Sequence, residues 1–269
     1  MARVEPRHSA WITRLGRAVA SCLSIALLLA GWEFLAHSGA VTPFMLPTIE
    51  AVAARVARDA GSGELILNLG LTLYRSLLGF SIAAVSGMAL GMLISSSAAV
   101  RWFFDPVISV GFPMPKIAFL PVIVLWLGFY DASKITMIVF DAIFPVITAT
   151  IAGVQGVERE LLWSARNLGA GERRLQWDVV LPAALPQILT GLQVALPIAL
   201  IVDIVAEMMM GGYGIGGAMA TASRFADSRG VFAGLVEIAI VGFCLVKAMA
   251  VLRRRLLPWH AEAQEMFRT

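Results

Sequence analysis

The chain has 269 residues, 59% of them hydrophobic and 14% charged, with a formal net charge of +3 and a mean hydropathy of +0.81. Soluble domains carry about 25% charged residues, and repeated apolar runs near the ~20 residues that cross a bilayer argue against an ordinary soluble enzyme. The basic residues cluster at the chain ends and in one loop, which reads as membrane topology rather than nucleic-acid binding.

Residues 1–17 are basic, with Arg3, Arg7, Arg14 and Arg17, and precede an apolar run over 18–36. That run exceeds a usual signal-peptide core and further spans follow, so it reads as a retained first span with a cytoplasmic N-terminus. Pro43 and Pro47 punctuate the next segment, and Ala51, Val52, Arg55, Val56 and Arg58 predict a short amphipathic helix outside the membrane core. A second span is expected over 68–95. Arg75 lies about two turns inside it, a costly place for a cation unless it reaches the interface or pairs with an acid. Gly79, Ser86, Gly87 and Gly91 predict close contact with another helix.

A turn over 95–105 leads to a third span over 106–127. Pro113, Pro115 and Pro121, with Lys116 among them, predict a kinked or unwound helix, tolerated only where it is buried or lines a cavity. A fourth span covers 134–154 and carries Asp141 and Pro145. A fifth covers 185–210, a Gly-rich segment runs to Gly230, and a sixth covers 231–252, ending at Arg253, Arg254 and Arg255. Six spans place both basic ends on one side. The expected divisions are a cytoplasmic N-terminus (1–17), a transmembrane domain (18–252) and a cytoplasmic tail (253–269).

Asp141, Asp203 and Glu207 are the acids inside spans. They are candidate pathway-lining residues, because intramembrane acids usually face protein or water. Asp203 and Glu207, one turn apart, equally suit the outer interface, and Asp141 equally suits a hydrogen bond between helices. Cys22 and Cys244 lie in apolar runs and read as packing residues. Trp102, Trp126 and Trp177 read as interfacial aromatics.

Residues 158–191 form the long polar interruption of the second half. Leu161, Leu162, Ala165 and Leu168 fall at helical spacing, with Arg159, Arg166 and Asn167 available to another face. Gly169 is a helix C-cap candidate and Gly171 permits a second bend. Glu172, Arg173, Arg174, Gln176 and Asp178 line a further turn or two, and Pro182 and Pro186 mark the start of the next span. A helix–Gly–helix hook of this kind suits insertion into a groove on a soluble partner.

The motor is expected elsewhere. Each lysine is followed by Ile117, Ile135 or Ala248, so no Gly-rich loop ends in Lys-Ser or Lys-Thr. Gly212, Gly214 and Gly217 spell GxGxxG, but an apolar helix-length run precedes them where a nucleotide site needs a strand. There is no HExxH, and His8, His37 and His260 are scattered. No catalytic, cofactor-binding or metal-binding residue is assigned.

The segment ARNLGAGERRLQWDVVLPAALPQILTGL resembles the EAA loop of the inner-membrane permeases of binding-protein-dependent ABC importers. Gly169 matches the motif Gly, Ala165 its second Ala, and Leu181-Pro182 its LP pair, while Trp163 and Ser164 stand in place of the Glu and first Ala. Leu46-Pro47-Thr48, the run from Thr72 to Phe80, PMPKIAFLPVIVLWLGF (113–129) and AEMMMGGYGIGG (206–217) are similar to the nitrate/sulfonate/taurine branch. The resemblance implies an all-α type I permease fold with about six spans and a cytoplasmic coupling loop over 158–182. Leu161, Leu162, Ala165, Arg166, Leu168, Gly169 and Ala170 would dock an ABC ATPase. It also implies a second permease copy and a periplasmic or lipid-anchored solute-binding protein, with ATP used by the partner subunit in a bacterial inner membrane. The implied solute is a small anion such as a sulfonate, taurine or nitrate; relatives also carry thiamin-precursor pyrimidines. The competing readings are an energy-independent channel or secondary carrier, and a non-transporting scaffold.

Overall fold

The computed structural model describes residues 8–259, with side chains from residue 23 onward, and these form helices without strands. The N-terminal residues 1–7 and most of the tail, 260–269, lie outside the described residues, so the expectations placed on them concern no described structure.

Helix α1 (His8–His37) runs to the edge of α2 (Ile49–Ser62). There Trp32 Nε1 donates to the Pro47 carbonyl at 2.8 Å, and Glu33 accepts from Ile49 N–H at 3.0 Å. Helix α2 is the expected amphipathic helix. Thr48 caps it by accepting from Ala51 N–H at 3.2 Å. Gly63, at φ +84°, closes it and turns the chain directly into α3 (Glu64–Ser96).

Helix α6 (Asp131–Gln155) is the centre of the bundle and packs between α3 and α9 (Leu181–Met210). Its seam with α3 is built on glycines. A Cβ at Gly79 would lie 2.6 Å from Ile138 Cγ2, one at Gly87 2.9 Å from Val146 Cβ, and one at Gly91 2.6 Å from Thr150 Cβ. These pairs advance together along both helices, so α3 and α6 run parallel, with backbones close enough that no side chain fits between them. Gly153 against Ala184, and Gly191 against Pro145 and Ala149, show that α9 runs antiparallel to α6. Met137, Ile138, Ala142, Val146, Ala195 and Ala199 fill the core between the three helices.

A parallel α3 and α6 require the intervening chain to return across the bundle. It does so as α4 (Ala98–Gly111), a 3₁₀ turn (Lys116–Phe119) and α5 (Leu120–Leu127), bent by 94° at the break. The expected turn over 95–105 is therefore corrected. The break there is brief, because Ser97 accepts from Val100 N–H at 3.4 Å and starts α4 at once. The expected disruption lies at Pro113 and Pro115, which lack N–H groups, while Pro121 sits harmlessly in the first turn of α5.

The fifth span is also longer than expected. The helix is continuous from α8 (Glu172–Leu175) through a π turn (Gln176–Val180) into α9. The ring of Pro182 would crowd the carbonyl of Asp178, and the widened π turn ending at Val180 accommodates it. The Gly-rich segment contains a further helix, α10 (Ile215–Arg224), before α11 (Ser228–Leu256).

Four helical runs are long and apolar enough to cross a membrane, namely α3, α6, Glu172–Met210 and α11, and the bent α4–α5 pair makes a fifth. The described side chains of α1, Leu23–His37, form only a shorter apolar helix, so a sixth span is not established from them.

Candidate functional site: a projecting hook and a buried ion network

One end of the bundle carries the hook. Helix α7 (Arg159–Asn167) ends in a reciprocal pair of bonds, Ala170 N–H to Ala165 O at 3.0 Å and Gly169 N–H to Arg166 O at 2.9 Å. Gly169 takes the left-handed conformation, φ +82°, that this Schellman cap requires. Gly171 does not need to be glycine: at φ −71°, ψ 163° it is ordinary extended backbone. Arg166 reaches across the bend to Glu172 at 3.2 Å.

The four apolar residues of α7 do not share a face. Leu162 and Ala165 turn inward onto Leu175, Val180, Ala184 and Ile188, and anchor the hook to the base of α9. Leu161 and Leu168 turn outward, Leu168 being 88% exposed, and Trp163 joins them at 57%. Seven-residue spacing keeps Leu161 and Leu168 together, whereas Leu162 lies about 100° round the helix. Ala170 is half-buried at the bend, beside exposed Gly169. Gly242 lies near Leu200 and Arg253 bonds Gln193, so α11 runs antiparallel to α9 and its three terminal arginines point towards the hook end.

The opposite end holds the ion network. Arg75 on α3 is buried. Its Nε and Nη2 both reach Asp131 Oδ1 at 2.8 Å, and its Nη1 donates to Glu207 Oε1 and to the Tyr213 carbonyl, each at 2.7 Å. Glu207 also accepts from Thr72 Oγ1 at 3.0 Å and from Gly216 N–H at 3.0 Å. Ser76 donates to Asp203 Oδ2 at 2.7 Å, while Asp203 Oδ1 has no partner among the described residues. Lys134 donates to the Gly211 carbonyl at 3.2 Å. Thus α3, α6, α9 and the 211–217 turn meet on a few charges.

The structure places Asp203 and Glu207 in that network at 0% exposure, away from the protomer surface. It places Asp141 elsewhere, beside Lys116 at 3.1 Å in the middle of α6. The GxGxxG segment has a use of its own. Ile215 N–H donates to Thr72 Oγ1 at 3.0 Å, Gly214 N–H to Asn68 at 2.9 Å, and Gly216 N–H to the Glu207 carboxylate. The start of α10 is wrapped around a carboxylate of the chain itself, where a Cβ at Gly214 would collide with Glu207.

Thr72, Ser76, Asn68, Asp131 and Lys134 were not singled out from sequence. Asn68, Thr72, Arg75 and Ser76 nevertheless recur at i, i+4, i+7 and i+8, a polar stripe on an apolar helix that marks a buried polar contact. Among the described residues no group of three or more His, Cys, Asp or Glu is placed to hold a metal. Trp102, Trp126 and Trp177 are exposed.

A parallel–antiparallel bundle with a bent α4–α5 span and a hook between α6 and α9 is the fold of an ABC-importer permease. Two solved structures share it. The inward-facing MetNI methionine ABC transporter aligns at TM-score 0.62 and 16% identity, over 69% of this chain and 93% of that one. An amino acid ABC transporter crystallised with histidines aligns at TM-score 0.62 and 17% identity, over 74% and 97%.

The chain belongs to the family of binding-protein-dependent transport system inner membrane components, whose model matches residues 83–258. It is 33% identical to the taurine transport system permease protein TauC of Escherichia coli over 97% of this chain and 98% of the relative. It is 35% identical to the putative aliphatic sulfonates transport permease protein SsuC of Bacillus subtilis, over 87% and 85%. It is 29% identical to the nitrate import permease protein NrtB of Synechocystis, over 90% of each. The chain is a permease component of an ABC importer, and the channel, carrier and scaffold readings give way to that one.

Proposed function

We propose that this permease imports a small oxyanion-bearing solute, a sulfonate such as taurine or an inorganic anion such as nitrate, driven by a separate ATPase that docks on the hook. The observation that carries the proposal is the hook itself. It is anchored by Leu162 and Ala165, closed by the left-handed Gly169, and presents Leu161, Trp163 and Leu168 outward. Arg166 and Ala170 hold the bend. ATP is bound by the partner subunit, and this chain holds no cofactor.

Helix α11 runs towards the hook end and finishes in three arginines, and basic ends favour the cytoplasm. The hook therefore faces the ATPase inside the cell. The Arg75 end, with α2 and α10, faces a periplasmic or lipid-anchored binding protein. Helix α1 ends at that outer side, and the N-terminal segment (1–17) and the tail (253–269) are assigned to the cytoplasm, on either side of the membrane domain (18–252). A second copy completes the pathway. The solute assignment is supported by the names that the relatives carry.

The solute is tested by ATP-dependent uptake of radiolabelled taurine through the permease assembled with its ATPase and binding protein. Unlabelled methanesulfonate or nitrate is expected to reduce the uptake. If neither taurine nor nitrate is taken up, while a cationic or neutral solute is, the anion reading fails.

A further inference from the structure

Near mid-depth, one flank of the bundle cannot face lipid. Asp141 lies on α6 between the levels where Gly79 meets Ile138 and Gly87 meets Val146, close to the midpoint of α3. Its side chain is 22% exposed. A partly open carboxylate at this depth, beside a non-helical stretch of backbone at Pro113–Pro115, is tolerated only against protein or water.

The two members of its ion pair are held unequally. Lys116 is 6% exposed and has three attachments: Asp141 at 3.1 Å, the Phe112 carbonyl at 3.1 Å, and the face of Phe144 at 4.7 Å from the ring centroid. Phe144 is itself fixed, since it fills the space that a Cβ at Gly111 would need. Asp141 has Lys116 as its partner among the described residues. If the pair opens, the carboxylate is the half that can swing into water, and the ammonium stays.

We propose that Lys116 is an anion-binding site within the membrane, with Asp141 as its built-in counter-ion, which a solute oxyanion displaces. Sulfonate or nitrate oxygens then take the ion-pair position that Asp141 gives up, so the ammonium is never left unpaired. The exchange favours a singly charged anion, because one carboxylate is released for one negative group. The inference deepens the proposed function and rests on its anionic solute, but the site can be tested without transport.

The probe is charge-selective thiol labelling of the assembled transporter in membrane vesicles, after Cys22→Ala and Cys244→Ala. In Asp141→Cys the thiol sits beside an unpaired Lys116. A negatively charged methanethiosulfonate reagent should react about tenfold or more faster than a positively charged one, since the Lys116 charge attracts the first and repels the second. Methanesulfonate should slow that reaction, and adding Lys116→Met should abolish both the preference and the protection. If Asp141→Cys does not reach the membrane, Thr148→Cys, two turns along the same face of α6, should show methanesulfonate protection that Lys116→Met removes. Equal rates for the two reagents, lack of protection, or lack of labelling at both positions overturns the proposal. Taurine import with no charge preference at 141 would sink this inference and leave the importer reading standing. Charge preference with methanesulfonate protection but without anion import would keep the anion site and overturn the anionic solute.

Discussion

Replacing Arg75 by alanine is expected to lower the thermal midpoint of the detergent-purified permease by about 10 °C, from a loss of about 3–5 kcal/mol for breaking one side of a buried ion pair. Arg75 supplies hydrogen bonds to Asp131, Glu207 and the Tyr213 carbonyl, and no other side chain among the described residues bridges those three. Without it, Glu207 and Asp203, one turn apart and fully buried, face each other with the more distant Lys134 ammonium and the hydrogen bonds of Thr72, Ser76 and the Gly216 amide to offset their charge. Arg75→Lys should recover part of the loss, because an ammonium lacks the planar fork that meets several acceptors at once. Arg75→Met combined with Glu207→Gln should cost less than Arg75→Ala alone, since Glu207 is then not left as a buried carboxylate that has lost its arginine. The midpoint is read as the fraction of monodisperse protein surviving a heat step. A fall within about 2 °C for Arg75→Ala would show that the network does not hold the outer end together.

Leu161→Asp with Leu168→Asp is expected to weaken ATPase docking by about a hundredfold or more, because burying each leucine contributes about 1.5–3 kcal/mol and charged replacements forfeit it. Both side chains are exposed in the permease, so its yield and thermal midpoint should stay unchanged. That contrast separates a docking role from a structural one. Leu162→Asp is the control with the opposite signature, since Leu162 packs on the buried cluster at the base of α9 and its replacement should destabilise the permease. Gly169→Val acts through geometry instead. A β-branched residue at φ +82° is a steric outlier, so the turn that sets Leu168 relative to α8 should reopen and ATP-driven uptake should fall. The checks are co-purification of the ATPase and uptake per permease. Unchanged uptake in both the double variant and Gly169→Val would remove the hook from the coupling account.

How much of this was legible beforehand depended on whether a signal was local. The Schellman glycine, the amphipathic α2 and the proline break announce themselves within a few residues, because backbone conformation and helix periodicity act over one or two turns. The glycines of α3 predicted a close neighbour but not which helix, and the seam with α6 joins residues far apart in sequence. The Arg75–Glu207 pair joins α3 and α9, and the sequence left Arg75 between the interface and an acid partner, and Glu207 between the pathway and the interface, without showing that they meet. Lys116 and Asp141 were both noticed, but their pairing depends on the 94° bend, which proline content signals without giving its angle. The assignment of Leu161 and Leu168 to one face with Leu162 and Ala165 failed for a different reason. Nine residues of helix cannot show which of two apolar edges meets the body, and that was decided by Leu175 and Val180 beyond the bend.

The central claim is that this chain moves solute only when a nucleotide-driven partner acts on its hook. The most direct measurement is flux of radiolabelled taurine into proteoliposomes containing the permease alone, the permease with its ATPase and binding protein, and the same assembly with ATP. Accumulation is expected only in the third. Taurine entering liposomes that hold the permease alone, at a rate comparable to the complete assembly with ATP, would contradict it.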